Sequence, residues 1–292
     1  MLNPPLSLLS DDLLVSIVEQ LAKLPFADWS LKNLSLADRA FTQSCQKYIL
    51  RKLVLGNGMN IPRQLTKVKK FLDNKPSFID RVRIIKLQVG ISSEKSALLF
   101  KDPNFTSILQ LFTKSPMPPH ELHFTGRGLV PVVPSIMEDT IPVMRQLEQS
   151  FFSQTLTILH VIECANVPLS IFLAFPRLRD LILDRVGATD KSHDKYPDNQ
   201  CSGRDVPLLE VFNYRESHSL IEQMIAPPPR FKTSVVLWSN LRVLTLAPHD
   251  KGGMACLQPI LDAACNTLEE LYLTSMAMSG CKHGVSDNTK RI

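Results

Sequence analysis

The chain has 292 residues, long enough for a large core in one or two domains. Its 44 % hydrophobic and 21 % charged residues are ordinary for a soluble globular protein, and its longest uncharged apolar stretch, Cys164 to Pro176, is too short to span a bilayer and carries Pro168. The net charge of +5 is uneven, with eleven Lys or Arg between Lys47 and Lys86 against Asp73 and Asp80 alone; these are dispersed and lack interleaved aromatics, so they read as a solvated helical face and not as a nucleic-acid footprint.

The six cysteines are Cys45, Cys164, Cys201, Cys256, Cys265 and Cys281. None forms a Cys-x-x-Cys pair, and most sit in apolar contexts, so they read as buried thiols of a reducing compartment. The first residues have no basic n-region and meet acids by Asp11, unlike a secretory signal. An intracellular protein, cytoplasmic or nuclear, with no membrane attachment is expected. Proline is frequent (21) and glycine scarce (11), which fits many short elements with defined breaks.

In chain order, residues 9–53 read as three short helices. Ser10 is a good N-cap, with Asp11 and Asp12 in the first turn. Leu13, Leu14, Ile17, Val18 and Leu21 follow at helical spacing. Leu24, Pro25 and Phe26 break that helix. Leu31, Leu34 and Leu36 mark a second, and Phe41, Cys45, Tyr48, Ile49 and Leu53 a third that starts near Asp38. So small a module leaves surplus apolar surface for the rest of the chain or another protein.

This stretch resembles an F-box. Leu9, Leu13, Leu14, Ile17 and Leu21 match the first part of that family's pattern. Leu34, Leu36, Arg39 and Phe41 match the second, and Arg51 and Leu53 the third. Ser10 stands where the family usually has Pro, and Asp12 where it has Glu. Both substitutes start a helix well.

Gly56-Asn57-Gly58 is a turn that ends the module, and Arg63 to Leu72 reads as a helix ended by Asn74 and Pro76. From there a Leu-x-x-Leu-x-Leu strand recurs. Its instances are Ile84/Leu87/Val89, Leu156/Leu159/Val161, Leu178/Leu181/Leu183, Leu241/Leu244/Leu246 and Leu268/Leu271/Leu273. Two weaker ones are Pro119/Leu122/Phe124 and Leu208/Val211/Asn213. Each puts alternate apolar residues on one face. Helical candidates lie between them: Phe105 to Phe112, Met144 to Phe152, Ser170 to Phe175, Ser219 to Ile225 and Leu257 to Ala264. The pattern resembles an irregular leucine-rich-repeat solenoid. The family's final Asn or Cys is matched at Cys164, whereas Val186, His249 and Met276 hold that place elsewhere. Gly187 to Asp205 and the run Pro227 to Pro229 read as surface inserts.

The expected architecture is therefore α/β: an F-box-like helical module over 1–55, then an irregular repeat domain over 56–279 with a parallel sheet and outer helices. After the last strand the composition turns polar and no cap is visible, so 280–292 is expected to be a disordered tail. An open edge, with fraying or a shortened product, is the corresponding expectation at Leu271 to Ser275.

No motif of catalysis is present: no Gly-x-Ser-x-Gly, no Walker-type loop, no Gly-x-Gly-x-x-Gly and no His-Glu-x-x-His. Cys281 and His283 lack a second ligand pair at zinc spacing. Neither metal nor cofactor is expected, and no catalytic residue is named. The two resemblances imply a non-catalytic substrate-receptor subunit of an SCF-type cullin–RING ubiquitin ligase. The helices would dock a Skp-type adaptor, joined to a cullin complex, through Leu9, Leu13, Leu14, Ile17, Leu34, Leu36 and Phe41. The repeats would hold an unknown protein substrate at outward strand positions: Gln88, His123, His160, Ile182, Thr245 and Tyr272. The alternative is a non-ligase repeat scaffold whose N-terminal helices cap the solenoid.

Overall fold

The computed structural model describes residues 10–24, 27–56, 60–88, 98–126, 151–164, 167–188, 206–227, 234–247, 257–274 and 289–291. Three helices come first: α1 (Asp11–Ala22), α2 (Ala27–Ala37) and α3 (Arg39–Ile49). Asp38 caps α3, its carboxylate accepting the N–H of Ala40 at 2.9 Å. Leu14 and Val18, one turn apart on α1, meet Leu31 of α2 and Phe41 and Cys45 of α3 in a small separate core. Burial pushes the Cys45 thiol pKa up.

The chain then enters β1 (Lys52–Leu55), the first of eight parallel strands. After α4 (Ile61–Asn74) and a 3-10 helix (Pro76–Arg81) come β2 (Ile84–Gln88), α5 (Pro103–Thr113) and β3 (Glu121–Thr125). Next are α6 (Phe152–Thr155), β4 (Ile158–Ile162), α7 (Ser170–Leu173) and β5 (Asp180–Asp184). The chain continues through β6 (Val211–Arg215), α8 (His218–Ile225), β7 (Val243–Ala247), α9 (Gln258–Ala264) and β8 (Glu270–Thr274). Strand order in the sheet equals chain order, so each coil pairs only with its neighbours, as in a solenoid. The fold is α/β with an eight-strand parallel sheet.

Strand alternation builds the large core. Ile85, Leu122, Leu159, Leu181, Phe212 and Leu244 form one fully buried row, and Leu87, Phe124, Val161, Leu183, Tyr214 and Leu246 the next. Each such side chain contributes about 1.5–3 kcal/mol by leaving water. Phe105, Ile108 and Phe112 of α5, Leu220 and Met224 of α8 and Ile260 of α9 join the same core. Residues between the rows point away from it.

After the strands the chain turns sharply. Glu163, Arg185 and Glu216 follow β4, β5 and β6 with φ of 55°, 55° and 46°, the left-handed region. Gly126 follows β3 on the same rung, and its N–H donates to the Ile162 carbonyl at 2.8 Å.

Leu53, expected in the third helix, lies in β1, and β1 pairs with β2, so the sheet begins inside the span 1–55 expected for the helical module. The structure corrects three further sequence expectations. At β2 the buried residues are Val82, just before the strand, Ile85 and Leu87, so the unit sits two residues earlier than Ile84/Leu87/Val89. At β6 they are Leu209, just before the strand, Phe212 and Tyr214, while Leu208 is 41 % exposed; the one-residue slip exchanges the faces. The third concerns the last edge: β9 (Thr289–Arg291) pairs antiparallel with β8, Tyr272 opposite Arg291, so β8 does not end the sheet as an open edge. The rest of the expected tail, most of both inserts, Cys201, Cys256, Cys281 and the start of the Met144 helix lie outside the described residues. Among the described residues no helix is long and apolar enough to cross a membrane.

Candidate functional site

Among the described residues, two surfaces bear on the candidate site. The first is on the N-terminal helices. Leu13 and Ile17 of α1 stand one turn apart, in a stripe turned about 100° from the buried pair Leu14 and Val18. They are 54 % and 43 % exposed. On α2, Trp29 and Leu36 share a face two turns apart and are 70 % and 85 % exposed. Of the residues expected to meet an adaptor, Leu13, Ile17 and Leu36 therefore face solvent. Leu14 and Phe41 face inward, because the module needs them to close its own core, and Leu34 packs partly against that core. They are structural residues, and their assignment to the docking surface is corrected here. Leu9 lies outside the described residues. Trp29 was missed because it has no place in the leucine pattern.

The second surface is the outward face of the sheet. Register pairing puts Val54, Lys86, His123, His160, Ile182, Asn213, Thr245 and Tyr272 on one ladder across β1 to β8. Five of the six expected contact residues, His123, His160, Ile182, Thr245 and Tyr272, thus share a rung. Gln88 lies one rung further on, opposite Thr125, because of the two-residue slip in β2. Lys86 takes its place, and the slip in β6 hid Asn213. Among the described residues, Oε1 of Gln88 and Oγ1 of Thr125 are enclosed without a hydrogen-bond partner.

At the centre of this rung the rings of His123 and His160 stack, with centroids 4.1 Å apart and planes 10° from parallel. Nε2 of His123 lies 2.6 Å from Oε1 of Glu121, two residues earlier on the same face. Burial pushes the Glu121 carboxyl up, but the hydrogen bond and charge of His123, helped by His160 and Arg51, carry it below the usual range. Burial pulls the His160 pKa down to about 4, aided by His123 and opposed by Glu121. The same burial, with Lys52 beside it, lowers the Lys86 ammonium pKa.

Charge changes along the face. Lys52 and Lys86 stand on β1 and β2, the imidazole pair on β3 and β4, and Asp180 on β5. Burial raises the Asp180 carboxyl, Glu210 adds to this, and Arg179 opposes it. On the last coil Tyr272 donates its hydroxyl hydrogen to Glu270. The face therefore offers cations at one end, stacked imidazole rings in the middle and carboxylates beyond. Cys164, by contrast, is sealed under the turn after β4, where burial pushes its thiol pKa up to about 12; it is not a nucleophile in the folded chain.

Comparison with protein-family models gives no match, and comparison with curated proteins gives no significant relative.

Proposed function

We propose that this chain is an F-box protein with irregular leucine-rich repeats, the substrate-receptor subunit of an SCF-type ubiquitin ligase. The observation that carries this reading is the second apolar stripe on α1. Leu13 and Ile17 are not needed for the core that Leu14 and Val18 complete, and they stay in solvent. Apolar residues left at helical spacing on a small module are a docking face for a partner. Leu36 and Trp29 are a second exposed apolar pair, on α2. The outward sheet face would hold the substrate, and the ligase would act by bringing that substrate near a ubiquitin-conjugating enzyme, so the chain itself needs no catalytic group.

A second reading has its own observation. Asp28 of α2 accepts from Lys52 of β1 at 3.0 Å, and a cleft of about 610 Å³ lined by Glu19, Leu24, Tyr48, Arg51 and Ile84 separates the helices from the first coil. The helices would then be a cap on the solenoid and the chain a non-ligase scaffold. Exposure of Leu13 and Ile17 favours the first reading, because a pure cap turns its apolar residues inward.

The experiment is calorimetric titration of the full chain with a recombinant Skp-type adaptor. Wild type should bind, and the Leu13→Asp/Ile17→Asp variant, changed only in solvent, should keep its fold and lose at least about 100-fold in affinity. A wild-type chain that does not bind overturns the ligase reading. Full binding by the double variant overturns the surface.

A further inference from the structure

We propose that Glu121, His123 and His160 form a site for one divalent transition-metal ion of the zinc class on the outward face of the sheet. The inference stands whether or not the chain docks an adaptor. It starts from register. His123 of β3 and His160 of β4 are Cα partners, 37 residues apart in sequence. Glu121 precedes His123 by two residues and so shares its face. One carboxylate oxygen and two ring nitrogens come within 4.8 Å of one another, all on side chains only partly open to solvent.

The donor set selects the ion. Two imidazoles with one carboxylate suit zinc, cobalt, nickel or copper, whereas calcium and magnesium take oxygen ligands. Zinc bonds of about 2.0–2.1 Å at tetrahedral angles place ligand atoms about 3.3 Å apart. The ligand atoms, now within 4.8 Å of one another and with His123 and Glu121 at 2.6 Å, must reach that spacing by side-chain rotation. The hydrogen between His123 and Glu121 now sits where the ion would, so the ring proton must move to Nδ1 or leave as the ion enters. Lys86 and Lys52, on the β1–β2 side, oppose a cation. The Glu121 carboxylate offsets this at first contact, and Asp180 stands on the other side. Three protein ligands leave a fourth position for water or for a side chain of a docked protein.

The full chain, stripped with a chelator, is titrated with zinc chloride by calorimetry and with cobalt(II) by visible absorption. One ion per chain is expected, with micromolar or tighter affinity and the absorption of four-coordinate cobalt. His123→Ala and His160→Ala should each weaken zinc at least about 10- to 100-fold, the loss that follows even outer-shell changes. A Cys281→Ser/His283→Ala variant should bind as wild type does. Lack of zinc binding at micromolar concentrations overturns the proposal, as does binding that depends on Cys281 and His283 but not on His123 and His160. Should the alanine variants fail to fold, nuclear magnetic resonance of wild type decides: substoichiometric cobalt(II) must broaden the ring signals of His123 and His160 first, and broadening of other histidines instead overturns the site.

Discussion

The Ser217 hydroxyl accepts the backbone N–H of Val186 at 2.9 Å, across 31 residues of chain, while donating to the Arg215 carbonyl at 2.8 Å. Ser217 is 1 % exposed, so it ties the turn after β5 to the turn after β6 inside the protein. Counted from the last inward residue of its strand, it holds the place that Cys164 holds after β4. Among the described residues the polar turn position is thus filled by Cys164 and Ser217.

Ser217→Ala should destabilise the protein by about 1–3 kcal/mol, because it leaves the Val186 N–H buried without an acceptor. Denaturant unfolding followed by circular dichroism measures this as a lower midpoint at unchanged slope. An unchanged midpoint would show that the hydroxyl carries no such link.

Gly126→Ala tests the corresponding turns after β3 and β4. A Cβ there would stand 2.1 Å from the carbonyl oxygen of Glu163, a backbone atom that cannot swing aside. The β3 exit must then move away from β4, straining the bond from the Gly126 N–H to Ile162. A cost of about 1–3 kcal/mol is expected, typical of overpacking. Hydrogen exchange should show the loss concentrated at the ends of β3 and β4. A stabilised variant, the usual result of Gly→Ala at an unstrained site, would contradict this geometry.

Asp180 gives a pH dependence with a definite sign. Burial raises its folded pKa above the ordinary carboxyl value, with Glu210 adding and Arg179 opposing. Between the unfolded and the raised folded pKa, the folded chain binds more protons than the unfolded one. Its contribution to stability is therefore greatest below the ordinary carboxyl pKa and is lost as pH rises through the folded value. Asp180→Asn should raise the melting temperature at pH 7 and lose that advantage as pH falls below about 4. A variant less stable than wild type at pH 7 would mean that the carboxylate has a favourable partner.

The legible part of the fold is the part set by alternation. Leu156 to Val161, Leu178 to Leu183 and Leu241 to Leu246 place leucine or valine at every inward site, so strand, face and register follow from the sequence. β6 was misread because Leu208 and Leu209 are both able to start the unit; burial of Phe212 and Tyr214 decides, and that is a tertiary fact. β2 slipped by two because Val82, Ile85 and Leu87 fit the template as well as Ile84, Leu87 and Val89 do. These slips moved Gln88 off the central rung and hid Lys86 and Asn213. The Glu121–His123–His160 cluster was invisible for another reason: cross-strand neighbours in a parallel sheet are a whole coil apart, so no short spacing announces them. On α1, periodicity gave one wide apolar face, but only packing distinguishes Leu14, which closes a core, from Leu13, which does not.

The two tryptophans report on the helical surface separately. Trp29 is 70 % exposed, and Trp238 is 8 % exposed beside Phe212, their ring centroids 5.1 Å apart. Emission at long wavelength should therefore come from Trp29, and a Trp29→Phe variant should retain the short-wavelength part. Where an adaptor covers α2, the wild-type minus Trp29→Phe difference spectrum should move to shorter wavelength as the indole leaves water. Where Trp29 is covered, Trp29→Ala should also weaken adaptor binding by about 1–3 kcal/mol, since a buried aromatic contributes more to an interface than its neighbours. The Leu13→Asp/Ile17→Asp variant should show no shift when adaptor is added. Adaptor binding that leaves the Trp29 spectrum unmoved would confine the docking surface to α1 and exclude the Trp29–Leu36 face from it.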